Sequence, residues 1–139
     1  MGHAAVLSAS EQTIAQAALA PGPHAVISAD RDGIIREWNK TAERIFSHNA
    51  ADAIGQTLDL VVPAEERADH WRNYRRVMAT GALNYRPDHV LDVEGLRRDG
   101  TRVMLDVALI AVRDQAGRLV GITAIMRQAD RDFPLKASP

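Results

Sequence analysis

Apolar residues recur along this chain in two rhythms. Over residues 68–81, "ADHWRNYRRVMATG", the spacing predicts a helix. His70, Tyr74, Val77 and Met78 fall on one side at i, i+4, i+7 and i+8, with Trp71 at the edge, while Arg72, Arg75, Arg76 and Ala79 fall on the other. Thr80–Gly81 reads as its stop. Over residues 103–111 the period is two, and Val103, Leu105, Val107, Leu109 and Ala111 share one face of a strand.

The same reading extends in both directions. Residues 8–20, "SASEQTIAQAALA", form a Ser-capped, alanine-rich helix whose thin apolar face is Ile14, Ala17 and Ala18, suited to docking on another surface. Pro21-Gly22-Pro23 ends it and bounds the compact domain. "HAVISAD" and "GIIREWN" are strands joined by a hairpin at Asp32-Gly33. Asn39 caps the helix "KTAERIFSH", with Ala42, Ile45 and Phe46 as its buried stripe, and "NAADAIGQ" is a further short helix closed by Gly55. "RPDHVLDVEGLRRDG", "TRVMLDVALIAVRDQAG" and "RLVGITAIMRQ" are three strand-rich runs. Turns at Asp99-Gly100 and Asp114–Gly117 make them antiparallel neighbours. The expectation is an α+β protein, one antiparallel sheet with its helices on one face. Residues 1–21 are a tail and flanking helix, 22–128 the domain, and 129–139 a tail.

Composition narrows the function. At 139 residues the chain is one domain, and 17 Lys and Arg against 18 Asp and Glu leave a net charge of −1, with no long-range pull on nucleic acid or anionic lipid. There is no cysteine, which excludes disulfides, thiolate zinc, iron–sulfur clusters and a thiol nucleophile. No apolar run reaches the length of a membrane span and the N-terminus lacks a signal-peptide pattern, so the expected location is the cytoplasm, without a membrane partner. His3, His24 and His48 form no i, i+4 pair, so no zinc site is expected. Arg67, Arg72, Arg75 and Arg76 are offset by Glu65, Glu66 and Asp69, which describes a solvated face rather than a nucleic-acid site. No P-loop, Rossmann fingerprint, nucleophile elbow or H-E-x-x-H motif occurs, so no enzyme is expected. His70 is the candidate that remains: a packed residue, or a ligand to a metal.

The run "HAVISADRDGIIREWNKTAERIF", then "AIGQ", then "GLRRDGTRVMLDVALIAVRDQAGRLVGITAIMR", resembles the PAS sensor family over residues 22–128. One departure is Ser47, where the family usually has Gly. The resemblance implies a five-stranded antiparallel sheet in the order 2-1-5-4-3, with helices forming a pocket over one face. Photoreceptor branches that need a cysteine are excluded. "PAEERADH" resembles the P-x-x-x-R-x-x-H approach of haem-binding PAS oxygen sensors, which implies haem b with iron held by His70. It also implies Arg76 at a haem propionate and Leu105, Val107 and Leu109 as an apolar wall, with Tyr74 against the cofactor or filling its space. Leu91 stands where those sensors place a ligand-holding arginine, and His89 falls at or near the distal ligand of another branch. Two functions follow from the resemblance. One is a haem sensor of a diatomic gas or of redox state. The other is a PAS module, cofactor-free or holding a small molecule, that dimerises through residues 8–20 and the outer sheet face. Either acts as a homodimer on a signalling output, a histidine kinase, cyclase or regulator, fused or in trans.

Overall fold

The computed structural model describes residues 9–19 and 22–129. Its elements are α1 (Ala9–Leu19), β1 (Ala25–Asp30), β2 (Ile35–Trp38), α2 (Lys40–Phe46), α3 (Ala50–Ala53), α4 (Arg67–Thr80), β3 (Leu91–Leu96), β4 (Arg102–Arg113) and β5 (Leu119–Gln128). The five strands form one sheet in the order β2-β1-β5-β4-β3, every neighbouring pair antiparallel, as the resemblance implies. No helix among the described residues is long and apolar enough to cross a membrane.

Local chemistry sets the joints. Asp30 Oδ1 accepts the N–H of Asp32 at 2.9 Å and of Ile34 at 3.1 Å, closing the β1–β2 turn over Gly33 at φ +76°. Asn39 caps α2 by accepting the Ala42 N–H at 3.0 Å, and the same oxygen accepts the N–H of Val26 on β1. The helix ends on Ser47 at φ 65°, a left-handed position that explains why the family prefers Gly there.

The pattern on β4 divides the sheet as expected. On the inner face Val103, Leu105 and Val107 pack with Ile27, Ile35, Trp38, Ala42, Ile45 and Phe46. At the other end of this face Ala29 and Leu119 pack with Tyr74 and Met78 of α4. Between these clusters Leu109, Ala111, Ile122 and Ala124 stay partly exposed, an apolar seam across the middle strands.

Three expectations change. The predicted face of α1 (Ile14, Ala17, Ala18) points to solvent, with Ile14 44% exposed. Ala15 and Leu19 dock instead on Ala108, Ile110 and Ile125 of the outer sheet face. In an alanine-rich helix both stripes are apolar, so the choice falls to whichever fits the sheet. The run predicted from Arg86 becomes a strand only at Leu91, because the His89 N–H turns back to the Arg86 carbonyl at 2.9 Å, just after Pro87. Ala129, placed in the tail, is buried, and its N–H donates to the Met104 carbonyl at 2.8 Å. The rest of that tail and His3 lie outside the described residues.

Candidate functional site

Helix α4 is held at both ends. At its start Arg67 donates to the carbonyls of Val62 (3.0 Å) and Asp59 (3.2 Å), and at its end Gly81, at φ +71°, donates to the Val77 carbonyl. The stripe predicted from spacing is the stripe that faces inward. Tyr74 and Met78 are buried, and His70, Trp71 and Val77 are partly so, while Arg72, Arg75, Arg76 and Ala79 are exposed.

His70, Trp71 and Tyr74 form a three-ring cluster, with centroids 4.9 Å apart for His70–Trp71, 5.9 Å for His70–Tyr74 and 5.7 Å for Trp71–Tyr74. Two rings are committed elsewhere. The Trp71 Nε1–H donates to Asp59 Oδ1 at 2.7 Å, and its six-membered ring lies over Gly33, where a Cβ would meet Cη2 at 2.2 Å. The Tyr74 hydroxyl donates to the Asp30 carbonyl, and burial, with the Asp30 and Asp32 charges, pushes its pKa up. The third ring is not committed. Nδ1 of His70 is buried and has no hydrogen-bond partner. Burial lowers the His70 pKa from its ordinary 6.5, against a smaller opposing pull from Asp59, so the ring is neutral at neutral pH. An unpaired nitrogen buried on a neutral imidazole is costly for folding and suited to a Lewis acid.

The other expected site residues separate. Leu109 is partly buried and packs against the α2 cluster, in which Leu105 and Val107 are themselves buried. Leu91 pairs with Val107 and packs partly against that cluster. Arg76 is exposed and forms no ion pair among the described residues. His89 is exposed in the loop before β3 and stacks on Tyr85 at 5.1 Å, so the structure does not bring it to His70. Among the described residues, no three His, Cys, Asp or Glu side chains are grouped to hold a metal ion. Spacing alone missed Asp59 and Gly33, which seat Trp71, and the seam residues Ile122 and Ala124. Asp32-Gly33 was legible as a turn, but nothing local says which ring lies on it.

The donor set suits haem: a neutral helix-borne imidazole with an unused nitrogen, an apolar seam on the same side of the sheet, and an unpaired guanidinium. Comparison with known proteins bears on the fold and the family. The chain is 31% identical over 91 residues to the sensor protein FixL of Bradyrhizobium diazoefficiens, covering 63% of this chain and 17% of that protein. It is 38% identical over 78 residues to an uncharacterised protein of Azorhizobium caulinodans, covering 55% and 10%. The chain therefore spans less than a fifth of the length of these relatives. Its fold is similar to the PAS domain of a protein from Colwellia psychrerythraea, with a TM-score of 0.64 at 18% identity over 76% of this chain and 86% of that one. The model of the PAS fold family matches residues 16–129, and with this sheet order and these helices the chain belongs to the PAS family.

Proposed function

We propose that this PAS domain is the sensing module of a signalling protein and that it binds haem b between α4 and the inner sheet face, with His70 as the iron ligand. The observation that carries the reading is the buried, unpaired Nδ1 on an imidazole kept neutral by its surroundings. His70 supplies the nitrogen ligand, and Tyr74 and Trp71 fix the helix that carries it through Asp30 and Asp59. Leu109, next to the buried Val107 and Leu105 on the same face of β4, forms the apolar wall, and Arg76 receives a propionate at the rim. Haem bound here would supply reversible binding of a diatomic gas or a one-electron redox change. A shift of α4 then biases a two-state equilibrium in the sheet and α1, read by an output partner (histidine kinase, cyclase or regulator) in a cytoplasmic homodimer. The likeness to a protein described as a sensor supports that role.

The test is the absorption spectrum of protein expressed with a haem precursor, wild type beside His70→Ala. A Soret band that the substitution abolishes or weakens is the expected result. An unchanged band in the variant removes His70 from the iron, and no band in either protein removes haem.

The seam of Leu109, Ala111, Ile122 and Ala124 favours a second reading, a module that holds a small apolar molecule and dimerises through the exposed face of α1 around Ile14. Haem-free protein that retains a small organic ligand through purification is the result that selects it.

A further inference from the structure

A groove of about 710 Å³ opens at the C-terminal end of α4, on residues that the sensing site does not use. Three arginines from separate elements line it: Arg31 from the β1–β2 turn, Arg113 from the end of β4 and Arg118 from the β4–β5 turn. We propose that this groove binds a small phosphate-bearing ligand of nucleotide size.

Two of the guanidiniums, Arg31 and Arg113, are oriented without being neutralised. Arg31 donates to the carbonyls of Leu119 and Met78, the latter at 3.3 Å, and Arg113 donates to those of Gly117 (3.2 Å) and Gly81 (3.0 Å). These acceptors are neutral peptide oxygens, so both positive charges persist. A guanidinium carries five N–H groups, and Arg31 and Arg113 each place only two bonds here. The lining contains one carboxylate, Asp114, against the three arginines. Asp114 is engaged by Arg118 Nε at 3.2 Å and by the N–H groups of Ala116 and Arg118, both at 2.9 Å. Asp30, next to Arg31 in sequence, pairs with Arg36 at 2.8 Å.

A helix C-terminus ordinarily repels anions, but here the bonds from Arg31 and Arg113 to Met78 and Gly81 offset the partial charge of those carbonyls. What faces the groove is a set of forked donors matched to phosphate oxygens, in a volume typical of small-ligand sites. Soluble phosphates fit this concave space better than a membrane surface does. Occupancy would tie the end of α4 to the β4–β5 turn, and so bear on the helix that carries His70.

Calorimetric titration of the full chain with inorganic pyrophosphate and with ATP, in metal-free buffer, tests the proposal. Saturable binding of either that weakens with added salt is expected. Arg118→Gln is expected to weaken it about tenfold or more. Its side chain is 78% exposed, so circular dichroism should show an unchanged fold. Arg72→Gln, on the part of α4 that pairs with Asp69, should leave affinity unchanged. Absence of saturable binding overturns the proposal, as does equal affinity in Arg118→Gln. So does binding confined to phosphatidylglycerol vesicles when neither soluble phosphate binds.

Discussion

Helices α2 and α4 lie on the same side of the sheet and obey the same periodic pattern, yet they are finished differently. In α2 the whole stripe of Ala42, Ile45 and Phe46 is buried, and the Asn39 side chain satisfies the helix start while tying it to β1. In α4 only Tyr74 and Met78 of a longer stripe are buried, and the leading residue keeps an unpaired buried nitrogen. A sealed helix contributes stability. A half-sealed one leaves a buried polar group unsatisfied, and that group is the one the proposed site uses.

The contrast can be broken on either side. Phe46→Ala has the largest expected effect, a loss of about 3–5 kcal/mol in urea unfolding, because its fully buried ring fills the α2 cluster. Gly33→Ala comes next, at about 2–4 kcal/mol. It strains a left-handed turn and drives its Cβ into the Trp71 ring, so the fluorescence of Trp71 should shift as α4 loses its seat. Phe46→Ala weakens the sealed helix and Gly33→Ala the open one.

Smaller changes sharpen the comparison. His70→Leu should raise the stability of cofactor-free protein by about 1 kcal/mol, since it removes an unsatisfied buried nitrogen while keeping an apolar side chain on the stripe. A clear loss of stability instead would make His70 a packing residue, equivalent in kind to Ile45. On the α2 side, Ser47→Gly should stabilise by about 0.5–1 kcal/mol, because Gly adopts the observed φ of 65° without the Cβ penalty.

The smallest expected effect is a pH dependence at the turn that seats Tyr74. Burial pushes the Asp30 carboxyl up. The N–H of Ile34, the Arg36 guanidinium and the N–H of Asp32 together pull it further down, below its ordinary 3.8. A depressed carboxylate contributes stability that is present above that value and lost as pH falls through the lower folded-state value. Thermal midpoints followed below pH 3.8 should therefore fall less steeply in Asp30→Asn than in the wild type.

Much of this could be read along the chain. The turns at Asp32-Gly33 and Asp99-Gly100, the Asn39 cap, the inward stripe of α4 and the period-two face of β4 all rest on residues within a few positions of one another. The misplaced face of α1 shows the limit of such reading. Ile14 is the larger apolar residue, yet Ala15 and Leu19 are what fit against Ala108, Ile110 and Ile125. The strand start at Leu91 shows it again, since the local β-rich pattern began five residues earlier than the pairing with β4.

Within the candidate site the division is the same. His70 could be singled out from spacing and resemblance, and its placement on the inward stripe of α4 follows from helical period alone. That Nδ1 is buried without a partner, while Trp71 turns to Asp59 and Tyr74 to Asp30, residues 12 and 44 positions away, shows only in three dimensions. The convergence of Arg31, Arg113 and Arg118 on one groove likewise belongs to no segment of the sequence. Periodicity, caps and turns are local and survive in the one-dimensional pattern. Burial, unsatisfied donors and shared charge arise only when strands distant in sequence close upon one another, and these the tertiary structure alone decided.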